Sequence, residues 1–97
     1  MSLTLSCLLW AHPGRESALI EYEDEVLALL PDHDAELLSR VRSDGEDGQP
    51  LEVQLFEFPS QEALDGYLRD PRRAALSAQR DASVARTELI RVTVVDR

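Results

Sequence analysis

Lysine and asparagine are both missing from this chain, which leaves arginine as its only strongly basic residue. A GC-rich coding sequence accounts for that more simply than heat stability or bidentate anion recognition. Cysteine occurs once, at Cys7. No disulfide can therefore close within the chain, and a reducing, cytoplasmic setting is expected. No apolar run is long enough to cross a bilayer. The stretch from Leu3 to Ala11 lacks a basic segment before it and reads as a strand, not as a signal-peptide core or, at Leu5-Ser6-Cys7, a lipoprotein signal. Glycine-rich phosphate loops, spaced metal-ligand motifs, internal repeats and low-complexity tracts are also missing, so no cofactor is expected.

What is present suits one small folded domain, residues 1–97. Of the 97 residues, 43% are apolar and 30% charged, a globular composition with no room for a second core. The formal net charge of -9 is unevenly placed: Met1 to Glu52 holds three arginines against twelve acids, and Val53 to Arg97 seven against seven. An acidic surface repels phosphate backbones and anionic lipid, so neither nucleic acid nor membrane is an expected partner.

Hydrophobic periodicity orders the elements. Leu3 to Trp10 reads as a strand buried on both sides, broken by His12-Pro13-Gly14. From Arg15 to Leu30, the residues Leu19, Tyr22, Val26, Leu29 and Leu30 line one helical face. Glu21, Glu23, Asp24 and Glu25 point elsewhere and form an acidic outer side. Ala35 to Ser43 reads as a second strand, with Leu37 and Val41 on one face and Leu38, Arg40 and Arg42 on the other. The acidic loop Asp44 to Pro50 then turns the chain. In the third strand, Leu51 to Phe58, the residues Leu51, Val53 and Leu55 alternate with Glu52, Gln54, Phe56 and Phe58. Ser60 caps a helix carrying Glu62 in its first turn and Leu64, Tyr67 and Leu68 on its apolar side. Asp70-Pro71 restarts that helix through Leu76 to about Ala82. Glu88 to Val95 is the last strand.

The order is β, α, β, β, α, β. Right-handed crossovers place both helical segments on one face of a four-stranded antiparallel sheet, the ferredoxin-like plait of the α+β class. The other face should carry either Leu3, Leu5, Cys7 and Leu9 or Thr4, Ser6, Leu8 and Trp10, together with Leu89, Thr93 and Val95. That is too apolar to leave in water, and a homodimer closing sheet on sheet follows from the deficit.

The run Phe56-Glu57-Phe58-Pro59-Ser60-Gln61-Glu62-Ala63, followed by Tyr67, Asp70-Pro71, Leu76 and Arg80, resembles the family called "domain of unknown function 1330". That family sits in the dimeric α+β barrel superfamily, alongside antibiotic-biosynthesis monooxygenase-like proteins. The match covers roughly the last third of the chain by spacing and context. Tyr67 stands where the family usually has Trp, and Arg73 where it has an aromatic. The resemblance implies a dimeric barrel fold and no particular reaction.

Several constellations carry chemistry. Asp32-His33-Asp34, with His12, holds metal-ligand donor types, but without ligand spacing it reads as a solvated turn and no metal is expected. Arg72 and Arg73 open a helix, where they can hold an anion with the free backbone N–H groups; pairing with Asp70 or the acidic first helix is the favoured reading. Arg40, Arg42, Glu52, Gln54 and Arg91, placed on the partner-facing side, set polar groups among apolar ones, with Trp10 or His12 at the border. Ligand-binding candidates are accordingly Trp10, His12, Arg40, Arg42, Gln54 and Arg91; the alternative is an inter-sheet ion network that fixes dimer register. Tyr22 and Tyr67 read as core residues, Cys7 as inert packing and Ser60 as a cap without an activating His.

Two functional readings follow. One is an enzyme or binder of a small organic molecule, its pocket between helices and sheet or inside the dimer barrel. The other is a non-catalytic dimerisation or regulatory module without a ligand.

Overall fold

The computed structural model describes residues 2–95. The elements run β1 (Leu3–Ala11), α1 (Glu16–Leu27), β2 (Glu36–Arg42), β3 (Glu52–Phe58), α2 (Gln61–Leu68), α3 (Pro71–Ala74), α4 (Ser77–Ser83) and β4 (Val84–Val92). The strands lie in the order β2-β3-β1-β4, every neighbouring pair antiparallel. This is the expected four-stranded α+β plait. Its thinnest principal extent is 16 Å, about the depth of one helix layer on one sheet.

Local chemistry explains the boundaries. Ser60 Oγ accepts the Ala63 N–H, and Asp70 Oδ1 accepts the Arg72 N–H with Pro71 at the first helical position, so each carboxylate or hydroxyl satisfies an orphan donor. The second helical segment breaks into α3 and α4 near Leu76. The first helix ends at Leu27, three residues before the periodicity predicts. Leu30–His33 then forms a 3₁₀ turn that closes on Asp34 at φ 58°.

Register decides which side chains meet the helices. Leu5 stands opposite Phe56 and Arg91, Cys7 opposite Gln54 and Leu89, and Leu9 opposite Glu52 and Thr87. Leu5, Cys7, Leu9, Phe56 and Phe58 are buried with Leu19, Tyr22, Val26, Leu64 and Tyr67 from the helices. Of the other strand residues, Ser6, Leu8, Trp10, Val53, Leu55, Ile90 and Val92 lie on the second face.

Three expectations need correction. β4 begins at Val84, just after the Ser83 carbonyl that accepts the His12 N–H at 3.0 Å, and ends at Val92, whose pairing with Thr4 is the last of the β1–β4 ladder. Consequently Leu89 faces the helices, while Glu88, Ile90 and Val92 occupy the open face and Thr93 and Val95 lie beyond the strand. The strict alternation read for β2 is broken by a register shift between Leu37 and Ser39, which puts Leu37 with Phe56 and Val41 with Val53. Finally, Arg40 stands opposite Gln54 and Arg42 opposite Glu52, both on the helix side and not on a partner-facing side.

Candidate functional site

Glu52 and Gln54 lie in the middle of the sheet, under α1, and are 0% and 1% exposed. Such side chains remain inside only when paired. Glu52 is clamped by two arginines of β2: Arg40 Nε donates to Oε1 at 2.8 Å and Nη2 to Oε2 at 2.9 Å, while Arg42 Nη2 donates to Oε2 at 2.8 Å. Arg40 also reaches α1, donating to Asp24 Oδ1 at 2.6 Å and to the Ile20 carbonyl at 3.4 Å. Burial works to raise the Glu52 carboxyl, but the hydrogen bonds from Arg40, Gln54 and Arg42 together hold it below its ordinary value.

Gln54 joins that clamp to a second carboxyl. Its Nε2 donates to Glu52 Oε1 at 3.0 Å and to Glu23 Oε1 at 2.9 Å. Glu23 is 5% exposed, contrary to its expected place on the acidic outer side. Its position could have been read from the spacing: it lies four residues after Leu19 and three before Val26, on the buried face of α1. Burial raises the Glu23 carboxyl, with the nearby Glu52 charge adding to the rise, while the Gln54 hydrogen bond and the Arg73 and Arg40 charges pull it back. Two carboxyls joined through one amide thus have opposite proton affinities: Glu52 is held as an anion, and Glu23 retains its proton more readily.

Above this floor is a cavity of 230 Å³, walled by Cys7, Leu9, Val26, Phe56 and Leu64 and opening past the exposed Leu68 and Leu89. Glu23, Gln54, Tyr22, Tyr67, Arg73, Arg80 and Thr87 contribute its polar rim. Arg73 stacks on the Tyr67 ring, its guanidinium carbon 4.6 Å from the ring centroid, a cation–π contact. Among the described residues Arg73 Nε and Nη1 and Gln54 Oε1 are buried without a hydrogen-bond partner. Buried polar atoms left in that condition are rare and costly in folded proteins.

Of the other polar groups, Tyr67 is already engaged. Tyr67 Oη donates to the Val26 carbonyl at 2.9 Å, so the expected hydrogen-bonded core tyrosine is found. Burial pushes the Cys7 thiol up to about 12, which leaves too little thiolate for a nucleophile. Burial also raises Tyr22, offset by the Arg73 charge. Chemically the cavity offers a guanidinium, an amide oxygen and a carboxyl with raised proton affinity, a set suited to binding and proton transfer.

The sequence-derived candidates are only partly assembled. Arg40, Arg42 and Gln54 come together around Glu52, and only Gln54 of the three lines the cavity. Trp10 lies on the open face, donating through Nε1 to the Gly48 carbonyl at 2.9 Å and covered by Arg86. His12 Nε2 lies 3.2 Å from the Asp81 carbonyl at the end of β1, and Arg91 donates to Gln61 Oε1 at 2.8 Å near the start of α2. The adjacent arginines part company. Arg72 pairs with Asp70 at 2.7 Å, as expected, although that carboxylate is buried, and with the exposed Asp32 at 2.8 Å, whereas Arg73 turns onto the Tyr67 ring. His33 closes on Asp70 at 2.8 Å. Among the described residues no three His, Cys, Asp or Glu side chains gather into a metal-sized cluster.

No family model matches the chain and no curated protein matches it, so the name of the resembled family gains no support beyond the segment that carries it. Solved structures do match. A protein of unknown function from Rhodopseudomonas palustris is 17% identical with a TM-score of 0.77, covering 99% of this chain and 84% of its own. A provisionally named antibiotic biosynthesis monooxygenase from Caulobacter crescentus is 14% identical with a TM-score of 0.77, over 98% of this chain and 91% of its own. SnoaB, a cofactor-independent oxygenase from Streptomyces nogalater, is 12% identical with a TM-score of 0.72, over 99% of this chain and 95% of its own. At these identities the likeness establishes the fold. No described helix is long and apolar enough to cross a membrane.

Proposed function

We propose that the chain binds a small organic molecule in the cavity between α1, α2, α3 and the sheet, and that two copies pair through the open sheet face. The observation that carries the first part is the unpartnered Gln54 Oε1 and Arg73 nitrogens at a cavity whose other walls are largely apolar and whose rim is polar. A mostly apolar cavity with a few convergent polar groups is the usual form of a small-molecule site. If the bound molecule is transformed, Glu23 is the group that holds or moves the proton. One protein of this fold, SnoaB, is a cofactor-independent oxygenase, which is in keeping with a small-molecule site here without supplying its reaction.

The second part rests on the apolar side chains opposite the helices. Val41 is 55% and Ile90 47% exposed, and they share a face with Leu8, Trp10, Val53, Leu55 and Val92. A second copy of the same face offers matching apolar cover through an isologous contact.

A Leu89→Trp variant tests the site, because residue 89 lies at the cavity mouth and is half exposed. Single-ring aromatic compounds are expected to raise the melting temperature of the unmodified protein by mass action and to leave the variant unmoved. Equal shifts in both proteins would contradict the reading.

A further inference from the structure

We infer that this cavity takes a compact, single-ring carboxylate that also carries a hydroxyl group, its carboxylate on Arg73 and its hydroxyl on Gln54. The inference rests on the reading of the cavity as a binding site and deepens it to a ligand class.

Hydrogen-bond polarity sets the two ends. Arginine nitrogens only donate, so the free Nε and Nη1 of Arg73 call for an acceptor. Arg73 has no carboxylate within 4.0 Å among the described residues, a lack it shares with Arg15, Arg69, Arg80 and Arg91; what sets it apart is that two of its nitrogens are buried. A part-buried guanidinium without a counter-ion favours an anion over a neutral acceptor. At the other end the Gln54 amide is fixed in orientation, because its nitrogen donates to Glu52 Oε1, a carboxylate that is clamped by two arginines and can only accept, as well as to Glu23. Its oxygen therefore faces the space as an acceptor and calls for a donor on the ligand.

Volume and surroundings set the body between them. An apolar cavity of about 150 Å³ is enough for benzene, so the 230 Å³ here admits one ring with small polar substituents. Leu9, Val26, Phe56 and Leu64 supply apolar walls for that ring. The approach is also selective by charge. The neighbouring groove over Tyr22 and Leu68 is lined by Arg69, Arg73 and Arg80, with no acid among its lining residues, in a chain whose net charge is -9. An anion meets locally favourable potential there while the rest of the surface repels it.

Calorimetric titration with 4-hydroxybenzoate, benzoate, 4-hydroxybenzyl alcohol and toluene tests the inference on the unmodified protein and on Arg73→Met, Arg73→Lys and Arg91→Met. Removing the charge, in 4-hydroxybenzyl alcohol, is expected to weaken binding about tenfold or more, and removing the hydroxyl, in benzoate, a few-fold. Arg73→Met should erase the preference for the carboxylate and Arg73→Lys should restore part of it. Arg91→Met should leave it intact. Equal affinity for the alcohol and the carboxylate, with toluene still binding, would overturn the ligand class and leave the cavity as a binding site. Failure of all four compounds, toluene included, would overturn both. If Arg73→Met does not fold, the comparison of Arg73→Lys with the unmodified protein decides, because loss of carboxylate preference on moving from a fork to a point charge is still read as a ratio of affinities.

Discussion

Gln54 donates through its amide nitrogen to Glu23 at 2.9 Å while its amide oxygen stays unpartnered in the sheet's centre. The pair sets both the chemistry of the cavity and its pH dependence, since the same nitrogen also holds Glu52 at 3.0 Å.

Glu23 destabilises the fold as pH rises. Its carboxyl binds its proton more tightly in the folded chain than at its ordinary value of 4.5, so the native state holds more protons in the window above 4.5 and stability falls as pH climbs through it. Glu23→Gln removes that slope and keeps an acceptor for Gln54. Urea unfolding at several pH values should show the variant gaining stability relative to the unmodified protein from pH 4.5 upward. Glu52 has the opposite sign: its depressed carboxyl stabilises above 4.5, and that contribution is lost as pH falls through the lowered value.

Arg40 matters more than Arg42 to the Glu52 clamp. Each arginine makes two bonds to Glu52, but Arg40 adds one each to Asp24 and the Ile20 carbonyl and has a side chain 22% exposed, whereas Arg42 is 43% exposed and serves Glu52 alone. Removing a partner from a fully buried carboxylate leaves it under-compensated. Arg40→Met is expected to cost about 2–3 kcal/mol and Arg42→Met about 1 kcal/mol in denaturant unfolding.

Ile90 tests the pairing of two copies. It lies on the open face opposite Ser6 and away from the cavity. Ile90→Arg should convert a species of twice 10.9 kDa into one of 10.9 kDa by light scattering, because an unpaired charge opposes a self-matched apolar contact. The emission of Trp10 on the same face should shift to longer wavelength as the face becomes wet.

Fold and site were unequally legible. The plait follows from helical spacing in α1, the caps at Ser60 and Asp70, and period-two runs in the strands, all of which are local. The choice of face in β3 is not local. Val53 and Leu55 are the more apolar set, yet Glu52 and Gln54 point inward, because Arg40 and Arg42 arrive from a neighbouring strand to compensate them. Pattern alone also missed the register shift in β2 and the inward turn of Arg73. Adjacent helical residues point about 100° apart, so Arg72 can meet Asp70 and the exposed Asp32 while Arg73 covers Tyr67. Arg40, Arg42, Glu52 and Gln54, grouped in the sequence on a partner-facing side, meet under the helices, and Arg91, grouped with them, lies apart on Gln61.

The central claim is that a small molecule lodges between the helices and the sheet. Nitrogen-15 NMR during a titration with 4-hydroxybenzoate addresses it directly, because the Gln54 side-chain amide and Arg73 Nε–H lie at the cavity while the Trp10 indole N–H reports from the opposite face. The account predicts saturable shifts of the Gln54 and Arg73 signals with the indole unmoved. Shifts centred on Trp10, or none anywhere at millimolar ligand, would contradict it.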